Sequence, residues 1–200
     1  MTLRIAYIST YPPTQCGIAE YTHYLTSELM RLTSNNYIAI VSDESSKPGR
    51  PYIDDVTKAL VIPSFNVSEA NYQKLLSSIR FLGKFDVIHI QHEYSIFPLA
   101  SEFLDLLRKL RSYSDNIVIT LHTVIHMCRG ERYFTFQEAI GKLVDAIVVH
   151  STLQEYELWI QNISLSKVHK IPHGTLINEY VGLVTKSYIS ELLGTDIDSK

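Results

Sequence analysis

The sequence predicts an α/β fold, a doubly wound parallel sheet of Rossmann-like type, and three observations carry that expectation. Short, near-continuous apolar runs alternate with stretches of helical periodicity along most of the chain, the order of repeated βαβ units. The runs are apolar on both sides, as strands covered by helices on two faces must be. Polar residues directly follow the runs, and in such sheets ligands bind beyond the carboxyl ends of the strands.

The elements follow in order. Leu3 to Ser9 reads as a first strand. After the turn-rich Thr10–Gly17, a helix is expected from the spacing of Ile18, Tyr21, Leu25, Leu29 and Leu32, ended by Asn35-Asn36. Tyr37 to Val41 is a second strand. Ser42 to Asp55 is polar, holds Pro48, Gly49 and Pro51, and is the best candidate for a mobile loop. Ala59 to Ile62 is a third strand, Ser68 to Leu82 a helix, and Phe85 to Gln91 a fourth strand. Leu99 to Leu110 is a helix and Ile117 to Leu121 a fifth strand. Thr135-Phe136-Gln137-Glu138 reads as a capping box opening a helix, Ala146 to Val149 as a sixth strand, and Thr152 to Glu155 as a second capping box. In the helix that follows, Tyr156, Trp159 and Ile160 are expected on one face. Val168 to Ile171 is a last strand, stopped at Pro172-His173-Gly174. Residues 1–175 are expected to form one domain, and 176–200, with Val181, Val184, Tyr188, Leu192 and Leu193, a linker or the start of a missing C-terminal domain.

Composition bounds the function. The 200 residues are 46% hydrophobic, enough for one packed domain. A formal net charge of -3 gives no electrostatic case for nucleic acid as a partner. Two distant cysteines, Cys16 and Cys128, are no disulfide framework. No run approaches the roughly 20 apolar residues that span a bilayer. The opening residues form no signal segment, so a cytoplasmic protein is expected and the two Asn-x-Ser sequons are read as chance matches.

Four of the eight histidines stand at strand ends: His92, His122, His150 and His173. Imidazole there can bond a sugar hydroxyl or a phosphate oxygen, or simply cap the strand end. Four at one edge favour a polar cleft. Zinc is disfavoured, because His89 and His92 point to opposite faces of a strand and His122-x-x-x-His126 lacks a helical context. Cys16-Gly17-Ile18-Ala19 leads into a helix, where backbone amides and the helix dipole favour an anion, although a plain turn explains one glycine equally well. The lack of GxGxxG and GxxxxGK[ST] disfavours redox dinucleotides and P-loop chemistry. Glu93 follows a buried strand and is placed either to orient an acceptor hydroxyl or act as a base, or to pair with Arg129 or Arg132.

At these residues the chain resembles the N-terminal half of the retaining GT-B-fold glycosyltransferases of family 4. The carrying segments are Tyr11-Pro12-Pro13 through Cys16-Gly17-Ile18-Ala19, Asp86 to Tyr94, Thr120 to Val124, Val148 to Ser151 and Lys170 to Gly174. The resemblance implies transfer of a sugar, with retention, from a nucleotide-diphosphate donor to an acceptor hydroxyl, without metal or other cofactor. It places Gly17 near the donor phosphates, His122 on the transferred sugar, and Glu93 and His92 on the acceptor side. With Cys16, His150, His173 and Gly174 as further substrate contacts, His122 and Glu93 are the catalytic candidates. A single glycine in the first loop and His173-Gly174 in place of the family's Asn-Gly are departures. The donor-binding residues belong to a C-terminal domain of similar size, so the chain alone is expected to be inactive. The acceptor is expected to be a sugar or a lipid-linked sugar; peripheral contact at the inner membrane face and oligomeric state stay open. The alternatives are a non-catalytic saccharide- or protein-binding module of the same fold and a flavodoxin-like regulator, whose phosphoacceptor Asp is missing.

Overall fold

The computed structural model describes residues 2–33, 35–46, 49–175 and 185–194. Within them one eight-stranded sheet is built from β1 (Arg4–Ser9), β2 (Tyr37–Asp43), β3 (Tyr52–Ile53), β4 (Leu60–Phe65), β5 (Val87–His92), β6 (Ile117–Leu121), β7 (Ala146–Val149) and β8 (Val168–Lys170), in the order β3-β4-β2-β1-β5-β6-β7-β8. Every pairing is parallel except β3 with β4. The helices are α1 (Gly17–Leu32), α2 (Gln73–Leu82), α3 (Ser101–Leu110), α4 (Glu131–Leu143), α5 (Thr152–Ile160) and α6 (Lys186–Leu193).

The sheet is doubly wound about β1. The chain leaves β1 through α1 to β2 on one side, then crosses after β4 through α2 to β5 on the other. The strand order thus reverses between β1 and β5, and the crevice at their carboxyl ends is where such a sheet holds a ligand.

Alternation along β1 divides the core between two layers. Ala6 and Ile8 join a cluster completed by Leu75 and Ile79 of α2, Phe103, Leu106 and Leu107 of α3, Ile140 of α4 and Leu158 of α5. Ile5 and Tyr7 join the other, with Ile38, Ile40 and Val61 against Leu25, Leu29 and Met30 of α1. Fully burying each such aliphatic side chain contributes roughly 1.5–3 kcal/mol.

Several sequence expectations are corrected. The polar stretch after β2 is not simply a loop: β2 runs on to Asp43, and Tyr52–Ile53 forms the antiparallel edge strand β3. Lys47 and Pro48 lie outside the described residues. On α1 the buried positions are Ala19, Thr22 and Thr26, whereas Leu32 is exposed. The threonines fit there because their hydroxyls donate to helix carbonyls, Thr22 to Ile18 at 2.8 Å and Thr26 to Thr22 at 2.8 Å. The helix expected from Ser68 begins only at Gln73, since Ser68 takes a positive φ of 64°. Thr135 opens no helix, because α4 already runs from Glu131. At α5 the cap is Ser151, one residue earlier than expected, in a reciprocal box with Gln154. Tyr156 and Trp159 of α5 are exposed, and Glu157 and Leu158 face inward. Val181 and Val184 lie outside the described residues; the expected tail helix is present as α6.

Candidate active site at the sheet's carboxyl edge

Four segments converge on the crevice. The loop after β1 delivers Cys16 as N-cap and Gly17 as first residue of α1, with no side-chain cap on the helix. The first amides of a helix lack intrahelical acceptors and carry partial positive charge, so this end is suited to an anion. Cys16 is half-buried, its sulfur accepting from Thr10 Oγ1 at 3.6 Å. A Cβ on Gly17 would meet nothing within 4 Å, so packing within this domain does not require the glycine.

His122, His150 and His173 follow β6, β7 and β8 and gather into one cluster. The His150 and His173 rings stack with centroids 3.7 Å apart, and His122 lies 5.2 Å from His150 and 6.1 Å from His173. Tyr21 of α1 sets its ring edge-on to all three, at 5.1, 5.5 and 5.5 Å. Two imidazoles are oriented from behind. His122 Nε2 is 2.9 Å from Gln91 Oε1 of β5, and His150 Nδ1 is 2.8 Å from the Ile171 carbonyl oxygen. Gln154 ties the strand ends together: its Nε2 donates to the His122 carbonyl at 3.0 Å, and its Oε1 accepts from the His150 amide at 2.9 Å. Burial, reinforced by His150 and His173, pushes His122 down to about 4, and burial likewise lowers His150. Both are therefore neutral near pH 7 and present one N–H and one lone pair each.

Glu93 is engaged with its own neighbours. One oxygen accepts from the Tyr94 amide at 2.8 Å and the other from the Thr123 hydroxyl at 2.5 Å, with neither Arg129 nor Arg132 as partner. This ties the loop after β5 to the loop after β6. Gly174 is exposed beyond β8.

His92 does not belong to the cleft, contrary to the sequence expectation. It is fully buried among Tyr94, Phe97, Phe103 and Phe136, and neither ring nitrogen has a hydrogen-bond partner. As the last residue of β5 it points to the α3–α4 side, while Gln91 before it points to the α1 side and meets His122. Tyr21 and Gln154 were missed by sequence reasoning. Tyr21 read as part of a core stripe and Gln154 as the interior of a capping box; the Ser151-x-x-Gln154 pattern directly after His150 was the available signal for the second.

The model of Glycosyltransferase Family 4 matches residues 16–177. The chain belongs to that family. Among solved structures, HepE from Anabaena in complex with UDP and glucose superposes with a TM-score of 0.60 at 13% identity, over 96% of this chain and 50% of HepE. Sucrose-phosphate synthase from Thermosynechococcus elongatus matches with a TM-score of 0.55 at 14% identity, over 95% of this chain and 99% of that one. The fold is that of the N-terminal nucleotide-fold domain of such enzymes, and the chain spans about half the length of HepE. No curated protein matches the sequence significantly.

Proposed function

We propose that this chain is the acceptor-side domain of a glycosyltransferase that moves a hexose, with retention, from a nucleotide-diphosphate sugar to an acceptor hydroxyl. The observation that carries the reading is the approach of α1, whose N-terminus at Gly17 has no side-chain cap, to neutral, pre-oriented His122, with the Tyr21 ring of α1 5.1 Å from the His122 ring. HepE, similar in fold, was solved with UDP and glucose, which makes a nucleotide sugar the donor to test first.

The geometry suits the chemistry. The departing diphosphate gathers negative charge, and the free amides at the start of α1 meet it without reorganising. His122, held by Gln91, presents a fixed edge to the transferred sugar. Glu93, through Thr123 and Tyr94, acts as a positioning residue for the acceptor-side loops rather than as a free base. Cys16, His150, His173 and Gly174 line the same edge as further substrate contacts. An acceptor hydroxyl on the same face can pass its proton to the leaving phosphate, so no strong protein base is demanded.

Because the chain spans about half of HepE, the reading assigns most donor contacts to a second domain, and the 200-residue chain alone to no turnover. The acceptor is a sugar or a lipid-linked sugar, and the reaction is placed in the cytoplasm, with peripheral contact at the inner membrane face where the acceptor is a lipid. The test is a screen of nucleotide sugars for transfer with the two-domain protein, repeated with Gly17→Trp and His122→Ala. Both variants should fold and lose transfer. Full activity in both would remove the cleft from the chemistry, and robust transfer by the 200-residue chain alone would remove the half-enzyme reading.

A further inference from the structure

We propose that His122, His150 and His173 form a binding site for one divalent transition-metal ion of the zinc class. Each ring can offer one nitrogen, and the three offered atoms lie within 4.8 Å of one another. Three imidazoles converging from three separate strand ends are a ligand set that zinc, cobalt and nickel accept. Neither local pair weighed in the sequence contains this set, because its members are 28 and 23 residues apart.

The hydrogen bonds behind the rings are those of a metal site. A ligating histidine usually gives its other N–H to an oxygen, which fixes the tautomer and the ring plane. His150 does so through Nδ1 to the Ile171 carbonyl, and its Nε2 is buried with no hydrogen-bond partner. The Gln91 side-chain amide engages His122 at Nε2, which leaves Nδ1 as the open ring nitrogen. His173 is exposed, with its ring stacked on His150. Bonds of about 2.0–2.1 Å to a tetrahedral ion place ligand nitrogens roughly 3.3 Å apart, so the cluster closes by at most about 1.5 Å on binding. Tyr21 and the strand ends wall one side, and a fourth position is left for water or an anionic oxygen. A cluster of neutral imidazoles that merely stack leaves the buried His150 Nε2 unsatisfied, and a metal ion satisfies it.

The test uses the untagged full chain and Co2+ alone as the probe. One ion per chain should bind, with the visible absorption of a tetrahedral centre, and Zn2+ should displace it. His173→Ala changes only an exposed side chain, so it should fold normally and weaken binding at least about 10-fold. His150→Ala should do the same, and circular dichroism reports whether each variant is folded. His126→Ala, outside the cluster, should bind as the wild type. The proposal is overturned if the wild type takes up no Co2+ at millimolar concentration, or if His173→Ala and His126→Ala bind equally well.

Discussion

His92 and the cluster of His122, His150 and His173 stand at the ends of strands along the same sheet edge, and they have opposite environments. His92 ends β5 inside a cage of phenyl rings, with both nitrogens unpaired. His122 stands one residue past the end of β6, where His92 pairs with Leu121, and it faces α1, Gln91 and two further histidines. One step of strand register decides which side of the sheet an imidazole joins, and so whether it packs or meets a ligand. The strand-end rule alone finds the edge; the face comes from the alternation.

The comparison can be broken most severely by His122→Ala in the two-domain protein. Transfer should fall at least about 100-fold, the scale of losing one positioned transition-state contact. Its unfolding midpoint should change little. His92→Ala should show the reverse. Removing a fully buried ring beside Phe97, Phe103 and Phe136 should cost about 3 kcal/mol in denaturant unfolding and leave the kinetics of the surviving folded protein near normal. Equal effects of the two on activity would dissolve the distinction.

Acid offers the next test. Burial pushes His92 down to about 3 and His89 to about 4 in the folded chain, from an ordinary value of 6.5. The unfolded chain binds protons that the folded chain refuses, so stability is full above about pH 6.5 and is lost as pH falls toward the folded values. Unfolding free energy should drop by more than about 2 kcal/mol between roughly pH 7 and pH 4.5. His92→Phe keeps the ring volume and removes two desolvated nitrogens. It should be at least as stable as wild type at pH 7 and visibly flatter in its acid profile; a steeper one would show that His92 is not the neutral packing group described here. The smallest effect belongs to Gly17→Ala, whose Cβ meets nothing within 4 Å and should shift stability by less than about 0.5 kcal/mol.

Much of this was legible in the sequence, for physical reasons that can be named. The central strands were readable because burial on two faces demands near-continuous apolar runs, as at Ile5–Ile8 and Ile117–Leu121. Helix starts were less so. Ser151 and Gln154 form the real box at α5, whereas the same pattern at Thr135 lies inside α4, because a capping box also fits a helix interior when the chain has already turned at Gly130. Tyr52–Ile53 was hidden because two residues carry no period, and antiparallel pairing with β4 alone defines them. At the site, His122, His150 and His173 were placed at the cleft edge individually, but their convergence depends on strand order, which no local spacing contains. His92 failed because its position at a strand end outweighed its parity.

The two margins of the sheet have a consequence for how this domain meets others. On one side β4 is covered by the two residues of β3, directly after Pro51. On the other, β8 is three residues long, buries only Val168, and exposes His169 and Lys170, the latter drawn to Thr152 and Glu155 of α5. Short, charged or covered margins give a foreign strand little backbone to pair with. Among the described residues, growth of the sheet by strand addition, the usual route to edge-to-edge aggregates, is disfavoured at both ends. In the two-domain reading proposed above, the domains would then meet through loops and helix ends rather than by strand pairing, which leaves the eight strands to act as a rigid platform.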